Sequence, residues 1–308
     1  MRNFDSLERL LASLMSRYRA RVPDVDRIVA AMIEEGAIQR AADIENDHIA
    51  FRTLGVPNLG IAALESVFLH HGYERRDAFQ FEAKKLNAFW YHPPRPEYPR
   101  IFISELRVGD LSRAAQTIVH SYTDLVTQNP TIGLDLDDPV ATDAFLHQAL
   151  WPLPSWSDYT ALLAESEYAA WTIYNRCYLN HFTVSIHNLP EGWSSIEAYC
   201  AFLERRGFKL NDSGGKIKVS ADGKLLQAST VAEVFEAEFA NGEQHRIAGS
   251  YVEFAERKPL DQFVGLAKSD LRREHRREGF EANNADRIFE STYLSQIERD
   301  MATSQSLD

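Results

Sequence analysis

The stretch DHIAFRTL (residues 47–54) alternates polar and apolar residues with a period of two, which predicts a β-strand with one polar face. That face would carry His48 and Arg52. A second stretch, LNHFTVSIHNL (residues 179–189), shows the same alternation and places His181 on its polar face. A polar face on an otherwise apolar strand needs solvent, a cavity or a metal ion.

Both strands are followed by a helical pattern that closes on a glycine. Gly72 lies 24 residues after His48, and Gly207 lies 26 residues after His181. Strand patterns return after each glycine. This matched spacing predicts an internal duplication of a strand–helix–strand unit.

The coarse order of elements predicts an α+β fold in one domain, residues 1–308, built on two βαβββ modules that enclose a cavity in a β-sheet. Helical patterns flank and separate the modules. The predicted bounds are 44–108 and 178–258 for the modules, and 1–40, 110–177 and 260–303 for the helical additions.

Each module also ends on a strand that contains a glutamate, Glu105 in IFISEL and Glu253 in YVEFAERK. If the modules pair about a pseudo-twofold axis, His48, His181, Glu105 and Glu253 converge. Imidazole and carboxylate ligands suit Zn, Ni, Mn or Fe(II), and three ligands leave positions open for substrate. For Glu253 the structural alternative is a salt bridge to Arg257, and Glu105 is either a fourth ligand or a partner of Arg107.

Arg52 follows His48 by four residues, about 13 Å along a strand at ~3.3 Å per residue. It could therefore hold the far end of a ligand bound at His48, unless it pairs with a surface carboxylate instead. His187 is a possible outer partner of the site, and Ser291 and Thr292 could supply hydroxyls. The other histidines, His70 and His71 among them, lack a partner at metal spacing and are predicted to be structural or exposed.

Composition excludes several classes of function. The net charge of −12 argues against nucleic-acid binding and against an anionic membrane surface. Two cysteines rule out a disulfide framework, no apolar run reaches 18 residues, and the N-terminus lacks a signal-peptide core, so we expect a reducing cytoplasm. The densest charge cluster, SDLRREHRREGF (residues 269–280), is predicted to be a solvated helical face.

The duplicated βαβββ module resembles the vicinal oxygen chelate superfamily, which includes glyoxalases and 4-hydroxyphenylpyruvate-type dioxygenases. The ordered set of His48 and Arg52 in DHIAFRTLG, His181 in NHFTV, and Glu253 in YVEFAERK is similar, more narrowly, to the 2-oxoadipate dioxygenase/decarboxylase family. The resemblance extends from the N-terminal helices to FESTY at residues 289–293.

The resemblance implies that His48, His181 and Glu253 bind Fe(II) and that Arg52 selects the substrate by binding a carboxylate of a 2-oxo acid. The reaction it implies converts 2-oxoadipate and O2 to 2-hydroxyglutarate and CO2 in lysine catabolism. The chain is more compact than bacterial members, which leaves the particular 2-oxo acid open. Zn, Ni or Mn could occupy the site in isolated protein.

Two other functions fit the residues. A glyoxalase-like isomerase or lyase would use Zn or Ni with Glu105 as the fourth ligand. A non-catalytic module would hold a small acid without a metal. Coordination number and metal content distinguish the three hypotheses.

Overall fold

The computed structural model describes residues 4–297, so the end of the last predicted helical addition, residues 298–303, lies outside the described residues. The first half contains two helices, one strand–helix–three-strand unit and four further helices. Their bounds are α1 (Phe4–Arg21), α2 (Asp24–Glu34), β1 (Asn46–Leu54), α3 (Gly60–His70), β2 (Glu74–Phe81), β3 (Leu86–His92), β4 (Arg100–Leu106), α4 (Arg113–Thr123), α5 (Pro139–His147), α6 (Trp156–Glu165) and α7 (Glu167–Asn175).

The second half repeats the strand–helix–strand order with an inserted hairpin. Its elements are β5 (Leu179–Ser185), α8 (Ile196–Arg205), β6 (Lys218–Val219), β7 (Leu225–Ser229), β8 (Val234–Glu238), β9 (Gln244–Ala248), β10 (Tyr251–Arg257) and α9 (Ala282–Ile288). Strands β8 and β9 form a separate two-stranded sheet that the sequence pattern did not predict.

One curled eight-stranded sheet joins the two halves in the order β2-β3-β4-β1-β5-β10-β7-β6. Strands β1 and β5 pair antiparallel at its centre. In each half the last strand pairs parallel with the first, β4 with β1 and β10 with β5. The predicted fold of two βαβββ modules around a sheet cavity is thereby confirmed.

Helices cover the sheet on both sides, and this buries the polar face of β1. Eight of the nine residues of β1 are buried. One apolar layer includes Phe51 and side chains of α1, α2, α3 and α8. The opposite layer includes Ala50 and side chains of α4, α6 and α7. His48 and Arg52 share the face of Ala50, so both lie in the protein interior at 1% exposure.

The C-terminal segment differs from the predicted helix. Residues 260–281 form short 3-10 turns and extended chain, and the regular helix α9 begins only at Ala282. Phe280 and Phe289, which flank α9, pack into the layer that contains Ala50. The segment therefore closes the cavity side of the sheet. Across residues 4–297, no helix has both the length and the apolar character needed to cross a bilayer.

Packing of α3 on β1 predicts a large loss of stability for Phe68→Ala. The Phe68 ring is fully buried and lies 5.5 Å from the Phe51 ring, centroid to centroid. Removing it should lower the free energy of unfolding by about 3–5 kcal/mol, measured by urea denaturation. The matched control is Leu69→Ala, since Leu69 is 40% exposed and should change stability by no more than about 0.5 kcal/mol. Equal losses in both variants would contradict this packing.

Candidate metal centre

Three neighbouring strands bring His48, His181 and Glu253 together. Thr183 of β5 pairs with His48 of β1 on one side and with Glu253 of β10 on the other. His181 lies two residues before Thr183 and so points to the same face of the sheet. The β1–β5 junction thus places one ligand-type side chain from each of three adjacent strands at the cavity.

The ligand atoms of the three residues lie within 4.8 Å of one another. The two Nε2 atoms are 3.3 Å apart, and the Glu253 oxygens lie 3.1 Å from His181 Nε2 and 3.5 Å from His48 Nε2. All three residues are at least 95% buried. The cavity beside them has a volume of about 20 Å³ and is bounded by Phe102, Phe280 and Phe289.

Side-chain oxygens fix the tautomer of both imidazoles. His48 Nδ1 donates to Asp47 Oδ1 at 2.8 Å, and His181 Nδ1 donates to Asn180 Oδ1 at 3.1 Å. Each Nε2 is then left with a lone pair that faces the other Nε2 and the Glu253 carboxylate. Metal-binding histidines are typically oriented by such partners. The donor set therefore fits a divalent cation.

Asp47 is itself held by two buried arginines. Arg257 donates from Nε and Nη2 at 2.6 and 2.9 Å, and Arg100 donates from Nη1 at 3.2 Å. Burial alone would raise the pKa of Asp47, but Arg257 and Arg100 hold it well below its usual range. Asp47 is therefore an anion that keeps His48 in position. The sequence alternative of an Arg257–Glu253 salt bridge is wrong, because Arg257 binds Asp47.

The charges and burial of the three residues together favour a cation at the site. Burial lowers the pKa of His181 to about 3. In His48 the effect of burial is outweighed by Glu253 and by the hydrogen bond to Asp47, so its pKa is raised. Burial would raise the pKa of Glu253, but His48 and His181 outweigh it and lower the pKa. A proton or a metal ion beside the Glu253 carboxylate satisfies this arrangement, and metal binding would release the proton.

Sequence reasoning missed Gln227, which orients the carboxylate. Its Nε2 donates to Glu253 Oε1 at 2.7 Å, and its own Oε1 accepts from Asn284 Nδ2 at 3.0 Å. The available signal was an amide side chain within the apolar strand LLQAS. The Thr183 hydroxyl also lies at the site, 3.1 Å from His48 Nε2.

Glu105 does not join the cluster. In the second module Glu253 pairs opposite Thr183, two residues after His181. The corresponding position of the first module, opposite Ala50, is Phe102. Glu105 lies three residues beyond it and accepts from the Ile61 N–H at 2.9 Å, at the start of α3. A fourth ligand at the symmetric position is thus replaced by an apolar ring that lines the cavity.

Arg52 is buried without a carboxylate partner in residues 4–297. Its Nη1 donates to Thr292 Oγ1 and its Nη2 to the Phe289 carbonyl, each at 3.0 Å, while Nε has no acceptor there. The Tyr251 hydroxyl is also buried and, in the described part of the chain, unpartnered. Burial raises the pKa of Tyr251, and the nearby charge of Arg52 counters that effect. The Thr292 hydroxyl therefore contacts Arg52 directly.

Other candidate residues lie apart from the metal ligands. His187 accepts the Arg257 backbone N–H at 3.2 Å, so it supports the strand that holds Glu253. The Ser291 hydroxyl forms hydrogen bonds with Ser229 Oγ and Asn211 Nδ2. The prediction that His70 and His71 lack partners at metal spacing is wrong, because the loop before α5 brings Asp137 to them. His70 and Asp137 form a surface ion pair at 3.2 Å.

This architecture is shared with glyoxalase-like proteins. A structure from Ralstonia eutropha, described as a glyoxalase superfamily protein, superimposes with a TM-score of 0.68 at 21% identity, over 89% of this chain and 85% of its own. The likeness establishes the fold. The candidate centre on that fold has the donor set, two histidines and one glutamate, of a site that could hold a divalent metal ion.

The chain belongs to the 2-oxoadipate dioxygenase/decarboxylase family, an enzyme family whose model matches residues 10–270. A relative from Arabidopsis thaliana, named 2-oxoadipate dioxygenase/decarboxylase, chloroplastic, is 42% identical over 264 residues, 82% of this chain and 69% of its own length. The structure of hydroxyglutarate synthase from Oryza sativa in complex with 2-oxoadipate is 39% identical, with a TM-score of 0.86 over 96% of this chain and 94% of that one. The family predicted from the sequence is confirmed.

The geometry predicts that Glu253→Gln loses bound metal and Glu105→Gln does not. Removing the negative charge between two lone pairs should weaken Fe(II) or Co(II) binding by more than the ~10–100-fold typical of an outer partner. Metal content per chain after dialysis measures this. Glu105→Gln is the matched control, because the amide oxygen can still accept the Ile61 N–H. Equal metal retention in both variants would place the centre elsewhere.

Proposed function

We propose that the protein is an Fe(II)-dependent dioxygenase that decarboxylates a dicarboxylic 2-oxo acid, converting 2-oxoadipate and O2 to 2-hydroxyglutarate and CO2. The reaction balances without another co-substrate. The main support from the site is that its ligand set stops at two histidines and one glutamate, since Phe102 stands where symmetry would put a fourth ligand. Three ligands on one face are typical of non-haem Fe(II) oxygenases.

Bound Fe(II) would supply the redox chemistry with O2 and the coordination positions for the 2-oxo acid. His48, His181 and Glu253 would hold it. Asp47 and Asn180 keep both Nδ1 atoms protonated, so that both Nε2 lone pairs stay directed at the cavity. Gln227 fixes the rotation of the Glu253 carboxylate by donating to Oε1.

Arg52 supplies the positive charge that a dianionic substrate needs in this acidic protein. A charge-assisted contact from Arg52 to the distal carboxylate would orient the chain of the substrate. Its unpartnered Nε and the unpartnered Tyr251 hydroxyl are donors suited to that carboxylate. The Phe102, Phe280 and Phe289 side chains give the cavity an apolar border.

The site favours this reaction over the glyoxalase-like alternative, which needed Glu105 as a ligand. A role in lysine catabolism and a location in the cytoplasm are parts of the proposal that rest on the sequence alone. The name of the Arabidopsis relative assigns that protein to the chloroplast and gives no support to a cytoplasmic location.

The decisive experiment is O2 uptake by Fe(II)-loaded protein prepared without oxygen. We expect 2-oxoadipate to drive O2 consumption matched one to one by CO2 release, with His181→Ala at least about 10³-fold slower because a metal ligand is lost. An oxygen electrode and ¹⁴C-carboxyl release provide the two readouts. His120→Ala, in an exposed histidine on α4, is the control. Metal-loaded protein that consumes no O2 with any 2-oxo acid would refute the proposal.

Substrate choice should change in Arg52→Met, which keeps the length of the buried side chain and removes its charge. We expect kcat/KM for 2-oxoadipate to fall about 10–100-fold, the loss of one charge-assisted hydrogen bond. The reaction of 2-oxohexanoate, which lacks the distal carboxylate, should change little. Steady-state kinetics with both substrates test this, and equal losses for both would remove Arg52 from substrate recognition.

A further inference from the structure

The arginine-rich segment 272–277 is not the solvated helical face that its charge pattern predicts. Only Arg273–His275 forms a short 3-10 turn. Arg276 is 7% exposed, and its Nη1 donates to the Arg257 carbonyl at 2.8 Å. Arg273 Nη1 donates to the carbonyls of Pro96 and Tyr98 at 2.7 Å each. Arg273 and Arg276 of this segment therefore point toward the body of the protein.

These cations border a cavity of about 410 Å³. The basic side chains that line it are Arg100, Arg257, Arg272, Arg273 and Arg276, with His187 beside them. None of its lining residues also lines the metal cavity. It is a separate concave site in a protein whose net charge is −12.

Two of the five arginines are already neutralised. Arg257 and Arg100 both bind Asp47, and Arg100 also forms two hydrogen bonds of 2.6 Å to Glu278. In residues 4–297, Arg272, Arg273 and Arg276 have no carboxylate within the 4.0 Å of an ion pair. The cavity therefore holds three cations that have no ion-paired carboxylate in the described part of the chain.

The carboxylates around the cavity act on these cations only at a distance, since Glu45 and Glu256 counter the lowering of the Arg276 pKa by burial without forming an ion pair with it. Glu45 accepts hydrogen bonds from Ser185 and Asn188, and Glu97 lies 3.7 Å from Arg95. Arg273 Nε and Nη2 are buried and find no acceptor in the described residues. Burial and the like charge of Arg100 lower the pKa of Arg273 to about 10. Burial and a like charge disfavour a charged guanidinium, and a bound oxyanion stabilises it.

We propose that this cavity is a binding site for a small oxyanion, a carboxylate or a phosphate, held by Arg272, Arg273 and Arg276. Guanidinium groups bind both kinds of anion through paired N–H donors, whereas a neutral ligand would leave the charges unmatched. The bound anion would lie beside Arg100 and Arg257, on the side of these residues away from the metal ligands. It would thus contact the two arginines that hold Asp47 and, through it, His48.

Inorganic phosphate and glutarate are the two probes, each compared with sodium chloride at equal ionic strength. Calorimetric titration gives affinity, and the shift in Tm gives stabilisation. Arg276→Gln removes one cation from the cavity. Arg272→Gln removes another at an exposed position, and it serves as the second variant if the buried change impairs folding. Arg9→Gln, in an exposed arginine of α1, is the matched control. Glutarate is also titrated into Arg52→Met, which separates this cavity from the metal cavity.

We expect at least one probe to bind saturably to the wild type and to Arg9→Gln, with about tenfold or greater loss in the cavity variants. Phosphate alone would identify a phosphate site, and glutarate alone, unaffected by Arg52→Met, a carboxylate site. The proposal would be overturned if neither probe bound more tightly than chloride. It would also be overturned if Arg272→Gln and a folded Arg276→Gln left the affinity for the probe unchanged.

Discussion

The antiparallel pairing of β1 with β5 is the constraint on which the candidate centre depends. It is the only strand pairing between the two four-stranded halves of the main sheet in the described chain, and it places His48 opposite Thr183. Because side chains alternate along a strand, a shift of one residue would turn His48 away from His181. The register therefore sets the 3.3 Å separation of the two Nε2 atoms.

At that register, a buried ionic network orients His48 for metal binding. Asp47 precedes His48 and is clamped by Arg257 of β10 and Arg100 of β4, one strand from each module. Burying such charges costs desolvation energy, which the paired geometry offsets only when every partner is present. The network orients the His48 ring and joins both modules. Its Arg100 and Arg257 also line the cavity that Arg272, Arg273 and Arg276 border.

The duplication is symmetric in its backbone and asymmetric in its chemistry. Four residues after His48 stands Arg52, whereas four residues after His181 stands Ser185. The strand position of Glu253 is matched in the first module by Phe102. One half thus supplies the carboxylate ligand and the other supplies the buried cation and an apolar wall. A dicarboxylic 2-oxo acid, which has two different ends, fits such a one-sided cavity.

The alternating patterns and the matched His–Gly spacing determined the duplicated fold and the four candidates His48, His181, Glu105 and Glu253, because local periodicity decides which side chains share a strand face. The family resemblance narrowed these to His48, His181 and Glu253. The role of Glu105 could not be decided in the same way, since it depended on the strand register between β1 and β4. Gln227, the Asp47 clamp and the inward turn of Arg273 and Arg276 escaped prediction for a related reason. Their partners lie far away in the chain, and long-range packing and burial, which only the tertiary structure sets, decide whether a charged side chain meets water, a counter-ion or a cavity.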